Sequence, residues 1–574
     1  MNGNSTLDLD NARTQSKKIQ EQINNAIKQK RSFIVEAGPG TGKTYSLLEL
    51  VDWLGTYGSS HFKSSKQSIV CITYTNAAVD VILSRLSQNS IIVPSTIHSF
   101  AWKSISQFQK DLIKVAYKLN LHQENNITKV EYTLGYKKIE NGVLFLHHDD
   151  VIKMFAELLD NEKFRRVFTS LFPIVLIDEY QDSSKLIIDK FVEHFISKHE
   201  GPIFGFFGDS WQNIYSRSSS CGQINCDQLV LIEKKINFRS SPNIIDFLNK
   251  IRPNLPQIGL ELNFPGEVKM ITCDDNRKGR ISKGYYKGDL SDEEFKERVK
   301  TLKKLIQNKF PEESFKVLMI THKRLALHQD YLRLLNLLGT DVTRESDPLV
   351  DFFKDTIEPI FKGLKENNLS LLFQALGVRS YPICKKVDKN KWQDLYYELE
   401  RARQGTCRDV LQEVVKSELI PIPESIQSLL SPENGSDVYK SQNGKRITVR
   451  EVLALNYKEF LSLISFMLPD SIFSTDHGVK GEEYDNVLFV ISTGWTKYNL
   501  WTHLPKIVDG SNEFLEEDYI LNRNLFYVCC SRARKRLFVL VTVELDRQQA
   551  EAFKELFEVQ NIFSYEKFVQ QFSA

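Results

Sequence analysis

Short apolar runs recur along the chain and predict strands that are buried on both faces. They occur at 33–35, at 172–177, in "FKVLMITHKR" and in "NVLFVIST", and each has the length of a single strand. The segment "DPLVDFFKDTIEPIFKGLKE" instead spaces its apolar residues as a helix does. The stretch "SPENGSDVYKSQNGK" is mostly polar, which is typical of a loop.

The composition is that of a multidomain globular protein. The 574 residues suffice for about three to four domains, and 41% hydrophobic with 26% charged residues is ordinary. No apolar run approaches the roughly eighteen residues that a bilayer requires, and neither a secretory signal nor a cysteine framework is evident. We therefore expect a cytoplasmic protein without a membrane segment. The net charge of +2 decides nothing about nucleic acid, because binding depends on where the charges lie.

The glycine-rich stretch "EAGPGTGKTYSLLEL" lies between a strand-like and a helix-like apolar run. A glycine turn before a helix lets backbone N–H groups surround phosphate oxygens without side-chain clashes. "AGPGTGKT" is a variant of GxxxxGK[ST] with Ala37 in the first glycine position. The pattern predicts that Lys43 reaches the β- and γ-phosphates of ATP and that the Thr44 hydroxyl binds Mg²⁺. The predicted loop comprises Gly38, Pro39, Gly40, Thr41, Gly42, Lys43, Thr44 and Tyr45.

A second acidic site follows the apolar run at 172–177, where Asp178 and Glu179 stand side by side. Phosphoryl transfer needs a positioned metal and a positioned water more than covalent help. We expect Asp178 to hold the Mg²⁺ shell and Glu179 to polarise the attacking water.

An ordered set of further motifs resembles the superfamily 1 DNA helicases of the UvrD, Rep and PcrA type. The matching stretches are "DEYQD", "CITYTNAAVDVI", "STIHSF", "FFGDSWQNIYS", "INFRSSPNIIDF", "TDHGVKGEEYDNVLFV" and "LFYVCCSRARKRL". Their order and spacing agree with that family over nearly the whole chain. The resemblance implies an α/β fold with two RecA-like P-loop motor domains and mainly helical insertions.

The resemblance also implies roles for residues around the nucleotide. Arg239 and Arg532 match the two arginines that reach the γ-phosphate, and Gln212 matches the glutamine that senses it. Phe238 takes the place of the aromatic that stacks on adenine, with a plain core aromatic as the alternative. Glu483 matches the acid that meets the ribose. We choose Gln15 over Gln22 as the adenine-reading glutamine.

Seven residues match positions along the family's single-strand path. They are Tyr74, Thr75, Asn76, His98, Tyr215, Arg217 and His477. Arg217 stands where the family has a base-stacking tryptophan, and a guanidinium can also stack on bases. The basic and aromatic stretch at 276–288 is a further candidate DNA contact, although a solvated hairpin is the more common reason for such a composition.

Placing the motifs divides the chain into two motor domains with one insertion each. The first motor domain is predicted at 1–102 and 160–245, and its insertion at 103–159. The second is predicted at 246–338 and 468–574, and its insertion at 339–467.

The leading functional hypothesis is an ATP-driven DNA translocase and helicase that moves 3′ to 5′ on single-stranded or tailed DNA, a polarity implied by the family. The alternative is a nucleic-acid-gated ATPase switch that regulates a partner and unwinds little. A helicase–nuclease in one chain is disfavoured, because the stretch after Arg532 is too short for a nuclease domain. In size and architecture the chain also resembles the helicase component of two-gene antiphage systems such as Gabija, whose companion is an OLD-family nuclease. A solitary repair or replication helicase is the competing interpretation.

Overall fold

The computed structural model describes most of the chain. The described residues are 6–61, 66–73, 75–86, 91–122, 127–133, 137–214, 219–274, 279–283, 287–343, 347–377, 386–430, 438–442, 445–468, 471–475, 481–493, 499–509 and 516–573.

The first half of the chain alternates strands and helices. Its first elements are β1 (Thr6–Leu7), α1 (Leu9–Lys28), β2 (Phe33–Ala37), α2 (Lys43–His61), β3 (Ile69–Thr73), α3 (Asn76–Leu83), β4 (Ile92–Thr96) and α4 (Ile97–Ile105). They are followed by α5 (Gln109–Lys118), β5 (Lys129–Tyr132), β6 (Lys138–Glu140), β7 (Val143–Leu146), α6 (His148–Leu159), α7 (Glu162–Leu171), β8 (Ile174–Asp178), α8 (Lys185–Phe191), β9 (Ile203–Gly208) and β10 (Val230–Lys234).

The second half begins with α9 (Pro242–Ile251), β11 (Gly259–Leu260), β12 (Glu267–Thr272), α10 (Asp292–Lys309), β13 (Phe315–Met319), α11 (His322–His328) and α12 (Leu332–Leu338). The mainly helical stretch that follows holds α13 (Pro348–Phe352), α14 (Glu358–Lys365), α15 (Leu369–Ala375), α16 (Lys386–Ala402), α17 (Cys407–Ser417), α18 (Glu424–Leu430), β14 (Val438–Gln442), β15 (Lys445–Thr448), α19 (Val449–Leu453) and α20 (Tyr457–Met467). The last elements are β16 (Phe473–Thr475), β17 (Tyr484–Ile491), α21 (Leu500–Asp509), α22 (Glu517–Cys530), β18 (Ala533–Val541), α23 (Arg547–Phe557), β19 (Ile562–Ser564) and α24 (Tyr565–Ser573).

Two six-stranded parallel sheets organise these elements. The first has the order β10-β2-β9-β8-β3-β4 and the second the order β16-β13-β17-β18-β12-β19. Helices cover both faces of each sheet, so the central strands are apolar on both sides and read as continuous apolar runs. The predicted α/β fold with two P-loop-type motor units is thereby confirmed.

The insertions pack against the sheets and share their cores. Residues of α5, α6, β5 and β7 join one face of the first sheet in a single apolar cluster, and helices between 348 and 467 join one face of the second sheet. The first insertion also contains a three-stranded sheet, in the order β5-β7-β6.

Two predicted domain limits fall inside helices. Position 102 lies within α4 and position 245 lies within α9. The predicted limits follow the motifs, and a motif identifies a functional segment but does not indicate where the neighbouring helix begins or ends. The domain division itself stays a prediction.

Candidate nucleotide site and DNA path

Three neighbouring strands of the first sheet end at the predicted phosphate site. β2, β9 and β8 are adjacent and parallel, so their carboxyl ends meet at one edge. Ala37 ends β2, Asp178 ends β8, and Asp209 directly follows β9. This edge of an α/β sheet is where such folds bind ligands.

The glycine-rich loop adopts the conformation that phosphate binding requires. Gly40 and Gly42 have φ of 75° and 73°, a region that residues with a Cβ rarely enter. A Cβ on Gly40 would also lie 2.7 Å from the Arg239 Cβ. The Thr41 hydroxyl donates to the Gly38 carbonyl at 2.7 Å, and Lys43 Nζ donates to the Ala37 carbonyl at 3.1 Å. The lysine is thus held over the loop, at the start of α2.

Asp178 and Glu179 differ sharply in their surroundings. Burial and the negative charge of Glu179 raise the pKa of Asp178 to about 7, although Lys43 acts in the opposite direction. Glu179 is partly exposed and has a left-handed backbone, with φ 48° and ψ 47°. Its carboxylate accepts a 2.6 Å hydrogen bond from Nε2 of the fully buried Gln181. Gln181 therefore fixes the direction in which the Glu179 carboxylate points.

The donors predicted for a metal are chemically suited to Mg²⁺. Thr44 is exposed and offers a hydroxyl in the first turn of α2, and Asp178 offers a carboxylate at the end of β8, two strands away from β2 in the sheet order. Both are hard oxygen ligands, which Mg²⁺ prefers together with phosphate oxygens and water. The residues fit the metal, and their role in holding it stays a prediction.

The amino edge of the second sheet faces this site. Arg532 and Glu483 immediately precede the neighbouring strands β18 and β17, and Tyr484 N donates to the Arg532 carbonyl at 2.9 Å. Arg532 is 1% exposed, and its Nε donates to the Val528 carbonyl at 2.9 Å. Burial and the nearby charge of Arg239 lower the pKa of Arg532 to about 10. This residue still carries its positive charge at neutral pH.

Gln212 joins the two halves of the site. Its Nε2 donates to Asp209 Oδ2 at 2.8 Å, and its Oε1 accepts from Arg532 Nη2 at 3.3 Å. The side chain is buried. The residue predicted to sense the γ-phosphate is therefore hydrogen-bonded to one of the two predicted arginine fingers.

Arg239 and Glu483, which the sequence assigns to different parts of the nucleotide, form an ion pair with each other. Burial lowers the pKa of Arg239, while Glu483 opposes this effect. The charge of Glu179 acts on the pKa of both Arg239 and Arg532, so both arginines lie near Glu179. The ribose contact of Glu483 stays a prediction.

A cavity of about 490 Å³ adjoins the phosphate loop. It is lined by Arg13, Ser16, Lys17, Gly40, Thr41, Gly42, Tyr45, Glu49, Lys234 and Phe238. Phe238 and Tyr45 are 38% and 57% exposed, so Phe238 is not a plain core aromatic. Gln15 is exposed on α1 but is absent from this lining, and its contact with adenine stays a prediction.

Lys234 is a site residue that the sequence analysis missed. It is 3% exposed, and burial lowers its pKa to about 8. Its Nζ donates to Ser46 Oγ at 2.5 Å, within the first turn of α2. The apolar run of β10 continues into three charged residues, "EKK", and nothing in that pattern indicates which of the two lysines turns inward.

Part of the predicted DNA path lies at the ends of β3 and β4, which pair in parallel. Thr75 and Asn76 are exposed at the start of α3, where Thr75 caps the helix. His98 follows β4, and its ring stacks on His148 of the insertion at 3.6 Å between centroids. Four other predicted DNA contacts lie outside the described residues, namely Tyr74, Tyr215, Arg217 and His477.

In the basic stretch at 276–288, Arg280 is hydrogen-bonded within the protein and is therefore a poor candidate for a phosphate contact. The Arg280 guanidinium donates to the carbonyls of Cys273, Gly288 and Thr542 at 2.5–2.9 Å, so it fastens the base of the loop. Lys283 and Lys287 are exposed. The remaining basic and aromatic residues of this stretch fall at 275–278 and 284–286, outside the described residues.

The fold and the candidate site together are those of a P-loop protein, with two parallel sheets that meet at the predicted nucleotide site. Across the described segments, no helix combines the length and apolarity needed to cross a membrane.

Comparisons with known proteins agree with this class. The AAA domain family matches residues 20–218. The chain is similar to the Gabija protein GajB of Bacillus cereus (strain HuB5-5), with 22% identity over 94% of this chain and 98% of that protein. It is also similar to the mitochondrial ATP-dependent DNA helicase HMI1 of Saccharomyces cerevisiae, with 26% identity over 40% of this chain and 39% of that protein. These matches confirm the predicted resemblance to UvrD-like helicases and to a Gabija protein.

Proposed function

We propose that this protein is an ATP-dependent DNA translocase and helicase that moves 3′ to 5′ on single-stranded DNA. The observation that carries the proposal is the meeting of the two sheet edges. Lys43, Asp178 and Glu179 lie on one edge, Arg532 approaches from the other, and Gln212 is hydrogen-bonded to Arg532. A site divided between two motor units lets hydrolysis change their relative position.

ATP would bind with its phosphates on the loop from Gly38 to Thr44 and its base in the neighbouring cavity. Phe238 and Tyr45 supply exposed aromatic faces there, and such faces stack on bases regardless of sequence. Thr44 and Asp178 would hold Mg²⁺, which supplies charge neutralisation for the phosphates.

Hydrolysis would proceed by in-line attack of water on the γ-phosphate. Glu179, oriented by Gln181, accepts the proton of the attacking water. Lys43, Arg239 and Arg532 offset the charge that builds on the phosphoryl oxygens. Catalysis of phosphoryl transfer depends mainly on such charge stabilisation and on positioning.

Single-stranded DNA would cross the ends of β3 and β4, beside Thr75, Asn76 and His98. Because β3 adjoins β8 and β4 adjoins β3, movements at Asp178 and Glu179 would reach the DNA path through one short stretch of sheet.

The similarity to GajB supports a role in antiphage defence with a partner nuclease of the OLD family. The partner would contact the surfaces of 103–159 or 339–467, because the motor edges are committed to ATP and DNA. Co-expression with the neighbouring gene product, followed by size-exclusion chromatography, tests this part. A protein that elutes alone, with no nuclease gene beside its own, would rule the complex out.

The activity is tested by strand displacement on 3′-tailed and 5′-tailed duplexes, beside single-strand-stimulated ATP hydrolysis. We expect displacement from the 3′ tail and its loss in Lys43→Ala. Displacement from the 5′ tail alone would refute the polarity.

The ATPase switch is retained as a second candidate because of one contact. His98 is stacked against His148, so the first insertion partly covers a predicted DNA contact. Hydrolysis stimulated by single strands without any displacement would favour the switch.

A further inference from the structure

Arg252 connects the two motor units through a buried side chain. It directly follows α9, and the apolar face of α9 packs on β12 and β18 of the second sheet. The Arg252 side chain nevertheless reaches the first motor unit, with only 3% of its surface exposed. Arginine is almost never buried so completely unless it is paired.

Both charge partners of Arg252 belong to the phosphate edge of the first sheet. Its Nη2 donates to Glu36 Oε1 at 2.8 Å, and its Nη1 is paired with Asp209 Oδ1. Glu36 lies in β2 immediately before the phosphate loop. The guanidinium also lies 5.3 Å and 5.5 Å from the ring centroids of Trp211 and Tyr527. The two terminal nitrogens of the planar guanidinium, its fork, thus bind two different carboxylates. A lysine has a single ammonium group and cannot bind both carboxylates with the same geometry.

Asp209 links Arg252 to the predicted nucleotide site through a hydrogen bond with Gln212. Its Oδ1 pairs with Arg252, while its Oδ2 accepts from Gln212 Nε2 at 2.8 Å. Burial would raise the pKa of Asp209, but Arg252 and then Lys43 outweigh it and the pKa is lowered. The carboxylate is therefore charged and fixed at both oxygens. The Gln212 amide is then oriented with its Oε1 towards Arg532, 3.3 Å from Nη2.

We propose that Arg252 is a positioning residue for ATP hydrolysis, which acts through Asp209 to aim the Gln212 amide at the Arg532 finger. It touches neither nucleotide nor reacting atoms. The proposal rests on the proposed function, since the aim of Gln212 matters only if Arg532 serves the γ-phosphate. Because α9 packs on the second sheet, the same contact makes the aim of Gln212 depend on how the two motor units are placed.

The first test is Arg252→Lys, which keeps the charge but loses the fork. We expect kcat for single-strand-stimulated hydrolysis to fall by roughly 3- to 30-fold, the size of coupling that one such contact carries, with KM for ATP nearly unchanged. The matched control is Arg324→Lys. Arg324 is also buried and paired with a buried acid, Asp289, at 2.7 Å. It lies in α11 of the second motor unit, and Gln212 is not among the hydrogen-bond partners described for it. An equal loss of kcat in the control, or a loss in KM alone, would overturn the positioning role.

A double-mutant cycle tests the route. In a Gln212→Ala background, Arg252→Lys should lower kcat no further, because its effect passes through the missing amide. A full additional loss there would overturn the proposal. Should Arg252→Lys fail to fold, Glu36→Gln, which removes one of the two negative charges that face Arg252 and leaves Asp209, takes its place, with the same expected fall in kcat.

The same cycle run on thermal unfolding separates this proposal from the proposed function. If the wild-type protein hydrolyses no ATP, the proposed function fails. The melting-temperature losses of Arg252→Lys and Gln212→Ala should still be non-additive if the side chains are linked, and additive losses would refute the link.

Discussion

Replacing Glu179 by glutamine removes the proposed base and almost nothing else. The side chain keeps its length, and the amide oxygen can still accept the hydrogen bond that Gln181 Nε2 now donates at 2.6 Å. The left-handed backbone at this position, with φ 48°, is no harder for glutamine than for glutamate. We therefore expect Glu179→Gln to fold and to bind ATP.

The expected fall in kcat of Glu179→Gln follows from the proposed role of Glu179 as the general base. A positioned general base contributes about 10²- to 10⁴-fold, which corresponds to roughly 3–5 kcal/mol of transition-state stabilisation. Removing a negative charge beside a triphosphate does not weaken its binding. The predicted signature is a fall in kcat of that order with an ATP dissociation constant no higher than in the wild type.

The assay pairs phosphate release, stimulated by single-stranded DNA, with equilibrium binding of ATP. Glu200→Gln is the matched control, because Glu200 is an exposed acid of the same motor unit and its loss should change neither quantity. If Glu179→Gln keeps more than about a tenth of wild-type turnover, another group takes the proton and the assignment is wrong.

Three further predictions follow from the same structure. Lys43→Ala should lower ATP turnover by at least about 10²-fold yet leave partner assembly intact, as measured by phosphate release and size-exclusion chromatography. Arg532→Ala and Arg239→Ala should each lower kcat far more than ATP affinity, Arg532→Ala by about 10³-fold or more; equal losses in rate and affinity would indicate general binding. Burial, and then His148, lower the pKa of His98 to about 4, so the folded state favours its neutral form. The contribution of His98 to the free energy of unfolding is therefore fully present above about pH 6.5 and is lost as the pH falls towards 4. The melting temperature of wild type should therefore drop between pH 7 and pH 5 more than that of His98→Gln, and parallel curves would contradict this.

The sequence was sufficient for features that depend on local pattern. β2 ends at Ala37 and α2 begins at Lys43, as a phosphate loop between an apolar strand and a helix requires. The run that predicts the acidic site becomes β8, which ends at Asp178. Continuous apolar runs of strand length are typical of parallel strands buried on both faces, whereas the fold class itself was implied by the resemblance of the ordered motifs to superfamily 1 helicases.

The partners of the charged residues could not be predicted in the same way. Arg252 pairs with Glu36, which is 216 residues away in the sequence. Arg280 donates hydrogen bonds to backbone carbonyls, including that of Thr542. Periodicity and motifs describe neighbours along the chain, whereas these contacts depend on how two sheets and their helices are placed. A basic residue in a loop therefore looks the same in sequence whether it binds DNA or fastens the loop.

The ion pair between Arg239 and Glu483 shows what the fold adds to two motifs recognised in the sequence. The Arg239 side chain is 18% exposed and that of Glu483 is 42% exposed, so the cost of breaking the pair falls on Arg239, whose charge would be left partly buried without a partner. Arg239 therefore needs a new anionic partner before it can turn to ATP. If both predicted roles hold, the γ-phosphate supplies an anion for Arg239 and the ribose hydroxyls supply donors for Glu483. Glu483 precedes β17 of the second sheet, whereas Arg239 follows β10 of the first. Exchange of these partners would therefore change a contact between the two motor units at the moment ATP binds, before any phosphate bond is broken.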